Sequence, residues 1–125
     1  MSNPICWFEI YVNDMQRAKQ FYQTVLSTEF SLLSDPTDSQ MEMWAFPSDM
    51  NIYGASGSLV KMHGIEAGGN SIIIYFESKD CSVEEQRIEA AGGKIHQPKM
   101  SIGEHGHIVL AIDTEGNLFG LHSMQ

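Results

Sequence analysis

Aromatic and acidic residues alternate along two strand-like segments of this sequence, and a histidine lies close to its C-terminal end. Residues two apart on a strand share one face, so each carboxylate stands beside an aromatic ring. Such a set could orient a small molecule, with a carboxylate as general base and a hydroxyl or imidazole as hydrogen-bond donor. The predicted ligand-binding residues are Trp7, Glu9, Tyr11, Tyr75, Glu77 and His122. Among them, Glu9, Glu77 and His122 are the candidate catalytic groups.

An internal repeat relates the two segments. With a shift of 66 residues, Trp7–Asp14 falls on Ile73–Asp80 and Asn51–Gly54 falls on Asn117–Gly120. Both matching blocks are strand-like and share one offset, which distinguishes them from chance identities. A duplicated unit tends to fold into two similar modules with a pocket where they meet. The repeat therefore predicts that the two sets of side chains converge on one site, with Ser56 as the repeat partner of His122.

Strand and helix patterns occur in the same order in both halves. The elements predicted for the first half are a strand at 5–12, a helix capped by Asp14, strands at 29–34 and 41–47 around a polar turn at Ser34–Gln40, and a strand at 51–62. The second half has a strand at 71–78, a helix opened by a capping box at Ser82–Glu85 and ended by Gly92 and Gly93, and strands at 94–97, 107–113 and 117–123. A turn at Thr114–Asn117 makes the last two a hairpin.

This order, βαβββ repeated, predicts an α+β fold. The segments between the elements are short, so the sequence predicts a single domain over 1–125 with modules of about 1–66 and 67–125. The chain is long enough to bury a core without disulfides or metals.

Composition excludes some classes of partner. The formal net charge is −9, which disfavours nucleic acid because phosphate contacts need clustered cations. The same charge favours a cationic ligand, although an acidic surface is more often a solubility feature. The two cysteines lack metal-like spacing and indicate reduced thiols in the cytoplasm. No apolar run predicts a signal peptide or a membrane span.

The motif Asp-x-x-x-Ala-x-x-Phe-Tyr at Asp14–Tyr22, the repeat and the closing segment Asp113–His122 resemble the vicinal oxygen chelate superfamily. Its members include glyoxalase I, extradiol dioxygenases and bleomycin-resistance proteins. The resemblance implies two tandem βαβββ modules that form a curled mixed sheet around a cup. It also implies a divalent metal ion in the cup for the enzymes, and a homodimer for chains of this length.

The superfamily's metal ligands are not found at the positions that the resemblance assigns to them. The first-strand ligand position is Trp7, its counterpart in the second module is Ile73, and the last-strand position is Gly120, with Gly54 as its repeat partner. None of these side chains can hold a divalent cation. The sequence therefore predicts no metal and no cofactor. His105 and His107 invite a metal interpretation, but such a pair on a loop is more often a surface feature.

The residues leave three accounts of function open. The favoured one is a small-molecule-binding protein of the glyoxalase and bleomycin-resistance type that has lost the usual metal site. The second is a metal-free enzyme in which Glu9 or Glu77 acts as general base. The third is a metal-dependent lyase, isomerase or dioxygenase of the same superfamily.

Overall fold

The computed structural model describes residues 3–33 and 41–125. The first module contains β1 (Trp7–Tyr11), α1 (Met15–Leu26), β2 (Ser31–Leu33), β3 (Glu42–Ala45) and β4 (Ser56–Lys61). The second contains β5 (Tyr75–Glu77), α2 (Cys81–Ile88), β6 (Lys94–Ser101), β7 (His107–Ile112) and β8 (Leu118–Ser123), with a short 3-10 turn at Gly103–His105. The turn predicted at Ser34–Gln40 lies outside the described residues.

Each module folds its strands into one mixed sheet. The strand order is β1-β4-β3-β2 in the first sheet and β5-β8-β7-β6 in the second. The first strand of each module runs parallel to the last, and the other pairs are antiparallel. The predicted α+β class and the two tandem βαβββ modules are confirmed. In the described part of the chain the strands form two separate four-stranded sheets, with β1 and β5 as edge strands.

Two strands differ in length from their predictions. β4 begins at Ser56 instead of residue 51, because the segment before it forms a turn in which Asp49 accepts a hydrogen bond from the Asn51 amide. β6 continues to Ser101, past Pro98. It lies at the edge of its sheet and has irregular register, and an edge position tolerates the missing proline N–H.

An aspartate begins each helix. The Asp14 side chain accepts a hydrogen bond from the Arg17 amide at 3.1 Å, and Asp80 accepts one from the Ser82 amide at 3.0 Å. The predicted capping box at Ser82–Glu85 is therefore wrong by two residues, because Asp80 is the cap of α2. The equivalent caps confirm the repeat over the first strand and the start of the helix. Bonds from Lys99 and Ser82 lower the pKa of Asp80 to about 2.

The repeat does not hold at one offset throughout. In the first module Glu9 is in register with Ser58, and in the second Tyr75 is in register with Gly120. Since Glu9 corresponds to Tyr75, the structural counterpart of Gly120 is Ser58. The predicted partner Gly54 is wrong, because it lies in the turn before β4. By the same register the partner of His122 is Val60, which corrects the assignment of Ser56.

One apolar cluster joins the two modules. Aromatic rings dominate it: Tyr22 of α1 lies 5.6 Å from Phe119 of β8 and 5.9 Å from both Phe46 and Phe76, measured between ring centroids. The rings of Phe21, Tyr22 and Phe119 are almost completely buried. None of the helices in the described residues is both long and apolar enough to span a bilayer.

A buried polar network connects the modules beside this cluster. The Tyr22 hydroxyl donates to Asp113 at 2.5 Å, and the Asp113 carboxylate also accepts from the amides of Glu115 and Asn117. Burial raises the pKa of Asp113 and, together with the neighbouring carboxylate, raises that of Tyr22 well above its usual value. The hairpin turn that the sequence predicts here is confirmed. The buried network was not predicted.

Glu115 completes the network at the start of α1. Its carboxylate accepts from the amides of Asn13 and Asp14, each at 2.8 Å, and pairs with Arg17 at 2.7 Å. Burial alone raises the pKa of Glu115, but the hydrogen bonds from Arg17, from the two amides and from Thr114 outweigh it and lower the pKa. The closing hairpin of the second module therefore anchors the first helix of the chain.

Candidate functional site

An open cleft of about 1720 Å³ lies where the two modules meet. Strands β1 and β5 both contribute to it, together with the loops 46–55 and 65–74 and residues from both halves of β8. Both strands are edge strands, so they reach the cleft without a neighbouring strand between them. The predicted pocket between duplicated modules is therefore present.

All six residues that the sequence assigned to the site line this cleft. They are Trp7, Glu9, Tyr11, Tyr75, Glu77 and His122. Their degree of burial differs from the expectation, because the two glutamates are exposed instead of enclosed by aromatic rings. Glu9 lies on β1 at the edge of its sheet. Its position on an edge strand leaves the carboxylate open to water.

Glu9 and Tyr11 form a pair on β1. The Tyr11 hydroxyl donates a hydrogen bond to the Glu9 carboxylate at 3.1 Å. Partial burial raises the pKa of Tyr11, and the bond to Glu9 and its charge raise it further. The tyrosine therefore stays protonated at neutral pH and holds one carboxylate oxygen, so that the other remains free to accept from a ligand.

Glu77 and His122 lie side by side on β5 and β8, in register across the parallel pair. The His122 Nε2 lies 2.7 Å from the backbone carbonyl oxygen of His105. A carbonyl only accepts, so Nε2 carries a proton and the neutral ring has its lone pair on Nδ1. This arrangement gives His122 a fixed tautomer beside a carboxylate.

The floor of the cleft is aromatic. It is formed by rings of the shared core, of which Phe8 and Phe76 come from the two edge strands with centroids 6.1 Å apart. The remaining floor residues are Tyr22, Phe46 and Phe119. The rim is also apolar, but exposed, and Met50, Ile52, Tyr53, Ile65 and Ile72 project from it.

Charge in the cleft is of one sign. Five carboxylates line it, those of Glu9, Asp49, Glu66, Glu77 and Glu84. Among the described residues, no lysine or arginine lines the cleft. His122 is the single basic side chain in the lining. Acidic walls around an aromatic floor attract cations, through both charge and the negative faces of the rings.

The residues present do not fit the superfamily's metal ion. Within the described residues, no three His, Cys, Asp or Glu side chains are grouped so that they could hold a metal. At Gly120 the space beyond the backbone is filled, because a Cβ atom there would lie 2.4 Å from the ring of Tyr75. The His105 side chain is 77% exposed and its Nε2 lies 3.9 Å from the Glu104 carboxylate, as expected of a surface histidine.

The sequence did not identify the two loops that form the rim. The sequence predicts strands over Ile52, Tyr53 and Ile72, whereas the structure places these exposed residues in the loops before β4 and β5. Glycines interrupt both loops, and a short apolar run beside glycines is the signal that could have indicated a loop.

Comparison by sequence gives a partial match. A family profile described as bleomycin resistance protein-like N-terminal matches residues 5–31, which contain β1 and α1. A search of curated proteins by sequence found no match.

Comparison by structure gives matches over the whole chain. Glyoxalase I from Zea mays is similar with a TM-score of 0.73 at 21% identity, over 97% of this chain and 46% of the maize chain. This chain thus spans about half the length of the maize protein. A glyoxalase/bleomycin resistance protein/dioxygenase family enzyme from Burkholderia phytofirmans has a TM-score of 0.68 at 15% identity, covering 95% and 97%. TnmS3, an antibiotic binding protein from Streptomyces sp. CB03234, has a TM-score of 0.65 at 23% identity, covering 98% of both chains.

Proposed function

We propose that this chain, which has the vicinal oxygen chelate fold that its sequence resembles, is a small-molecule-binding protein of the glyoxalase and bleomycin-resistance type. The observation that carries the proposal is the cleft between the modules, with an aromatic floor and acidic walls. One structural neighbour is an antibiotic binding protein. The ligand-binding residues that we assign are Trp7, Glu9, Tyr11, Tyr75, Glu77 and His122.

The ligand that this cleft suits best is an organic cation. Five carboxylates without a lysine or arginine among the described lining residues leave a negative potential that only a cation neutralises. Half-exposed aromatic rings, among them Trp7 at 40% and Tyr75 at 45% exposure, offer faces on which a cation can lie. Nucleic acid and membrane surfaces are poor partners for the same electrostatic reason.

Glu9 provides a direct test of this ligand class. We expect Glu9→Gln to weaken binding of N-methylquinolinium about fivefold, close to 1 kcal/mol, because an exposed charge contributes modestly. Binding of 1-methylnaphthalene, a neutral molecule of similar shape, should not change. Stability should not change either, since Glu9 is exposed. Titration calorimetry and thermal melts measure these quantities, and equal losses for both probes would contradict a cation site.

Binding in this cleft requires no divalent metal. The positions Trp7, Ile73 and Gly120 offer no ligand, and the ring of Tyr75 fills the space at position 120. The purified protein should therefore carry far less than one equivalent of zinc, nickel, iron or manganese after dialysis, as measured by elemental analysis. A stoichiometric metal would instead support the alternative, a metal-dependent lyase, isomerase or dioxygenase.

A metal-free enzyme is the second candidate, favoured by the pairing of Glu77 with His122. The fixed tautomer of His122 leaves Nδ1 as a proton acceptor next to a carboxylate. This pair could remove a proton from a bound ligand, with Glu77 stabilising the imidazolium that forms. Turnover of a bound compound that His122→Gln abolishes, while binding is retained, would establish catalysis.

The exposed apolar rim supports a homodimer. Met50 and Ile52 of this rim are 98% and 66% exposed, which is unusual for two large apolar residues so close in the chain of a monomer. A two-fold contact between two rims would cover them. Light scattering should therefore give a mass twice the 14.0 kDa of one chain. A mass of one chain at micromolar concentration would contradict this assembly.

The thiols suit a reducing compartment, and the cytoplasm remains our proposal for the location. Cys6 is exposed and Cys81 is buried, and neither forms a disulfide. An exposed free thiol persists where glutathione keeps thiols reduced.

A further inference from the structure

Tyr75 of β5 lies flat against the backbone of Gly120 of β8. The two residues are in register across the parallel pair. A Cβ atom built on Gly120 would lie 2.4 Å from Cδ1, 2.5 Å from Cε1 and 3.1 Å from Cγ of the ring. Real Cβ contacts are never so short, so the ring occupies the volume that any side chain at position 120 would need.

Gly120 has no other reason to be glycine. It lies within β8 and its φ is not positive, so its backbone conformation suits any amino acid. The need for glycine therefore comes from the ring alone. The contact is a seat that fixes the plane of the Tyr75 ring against the sheet.

The other face of the same ring is open. Tyr75 is 45% exposed and lines the cleft, while Gly120 beneath it is buried. An aromatic ring supported on one side and exposed on the other presents a preorganised flat surface, and little rotamer entropy remains to be lost on binding. Glu77, two residues along β5, shares this face and places a negative charge beside the surface.

The chain contains a contrasting pair. Tyr53 also lines the cleft and is followed by Gly54, but a Cβ atom on Gly54 would meet nothing within 4 Å. That glycine has a φ of 113°, which its turn requires. Tyr53 is 82% exposed and no ring rests on Gly54, so it serves as a matched control for an aromatic residue without a seat.

We propose that Tyr75, seated on Gly120, is the stacking platform of the cleft and selects ligands that carry a flat, unsaturated ring next to their positive charge. This inference rests on the proposed function and narrows its ligand class from organic cations to flat aromatic cations. A ring of fixed plane gains most from a flat partner in an offset stack, whereas a puckered ring touches it at few atoms. A side chain at position 120, a carboxylate included, is incompatible with the platform.

The test compares two cations of equal charge and similar size. The flat probe is N-methylquinolinium and the saturated probe is N,N-dimethyldecahydroquinolinium. The native protein should bind the flat probe about tenfold more tightly. Gly120→Ala, which displaces the ring, and Tyr75→Leu, which removes it, should each abolish most of this preference. The double variant should lose no more than Tyr75→Leu alone, and Tyr53→Leu should change the preference less than twofold.

The possible outcomes distinguish a failure of the stacking platform from a failure of the proposed cation binding. Equal affinity of the native protein for the two probes, or a preference that survives Tyr75→Leu, overturns the platform while the cation-binding function stands. Failure of both probes to bind overturns the proposed function and the platform together. If Gly120→Ala does not fold, as circular dichroism would show, Tyr75→Leu and Tyr53→Leu still give the comparison.

Discussion

Replacement of Glu115 by alanine should lower the free energy of unfolding by about 3 kcal/mol. The carboxylate accepts hydrogen bonds from two backbone amides at the start of α1, those of Asn13 and Asp14. Each buried donor left without an acceptor costs about 1–3 kcal/mol. The Glu115 side chain is fully buried although its partner Arg17 is half exposed, so the loss is dominated by the amides. Chemical denaturation at neutral pH measures the change.

Two further variants separate the contributions. Glu115→Gln keeps an oxygen for the amides and should lose less than Glu115→Ala. Arg17→Ala should lose much less stability than Glu115→Ala, because that side chain is half exposed and solvent screens the pair. If Arg17→Ala is as damaging as Glu115→Ala, the ion pair and not the helix anchor provides the stability.

The pH dependence of Glu115→Gln has a definite sign. The pKa of Glu115 is lower in the folded chain than its ordinary value of 4.5. Its contribution is therefore fully present above pH 4.5 and is lost as pH falls through the folded pKa. The difference between the native protein and Glu115→Gln should be largest near pH 7 and shrink below pH 4.5. Asp113, whose pKa is raised by burial from 3.8, changes stability in the opposite sense as pH rises.

Gly57→Ala should also cost about 3 kcal/mol, for a steric reason. Gly57 of β4 is in register with Phe8 of β1, and a Cβ atom there would lie 2.1 Å from the Phe8 carbonyl oxygen and 2.7 Å from its ring. A backbone oxygen in a paired strand cannot move aside unless β1 and β4 separate. Separation would also displace the β1 residues of the cleft, so Gly57→Ala should reduce both stability and binding.

The matched comparison is Gly120→Ala, where the obstacle is the Tyr75 side chain and not backbone. That variant should be less destabilising, because a half-exposed ring can rotate away. Removal of the Phe8 ring should not rescue Gly57→Ala, since the closest atom belongs to the backbone. Rescue by Phe8→Ala in thermal melts would show that the ring is the real obstacle.

Local patterns in the sequence determined the fold class and the face of each strand. Alternation along β1 and β5 identified five residues that line the cleft, because a strand's period of two holds wherever the strand lies. They are Trp7, Glu9, Tyr11, Tyr75 and Glu77, and the sixth predicted residue, His122, comes from β8. The helix-opening aspartates recur at the same offset, and both were found to cap helices. Such features depend on neighbours within a few residues, which the sequence contains directly.

Tertiary structure decided the register of the last strands and the burial of the site. The offset of 66 residues between Asp14 and Asp80 does not extend to β4, because the turn before that strand has its own length. Ser58 therefore occupies the place that the repeat in the sequence predicts for Gly54. Exposure of Glu9 follows from the edge position of β1, and strand order is set by contacts between distant segments.

The network around Asp113 and Glu115 also combines a turn that the sequence predicts with contacts that only the folded chain reveals. The sequence contains the turn that brings these two carboxylates together, and it predicted the hairpin. It contains no sign that their partners would be Tyr22 and Arg17, about a hundred residues away in the chain. Hydrogen bonds between distant segments depend on the packing of α1 against the second sheet, and only the folded chain fixes that packing.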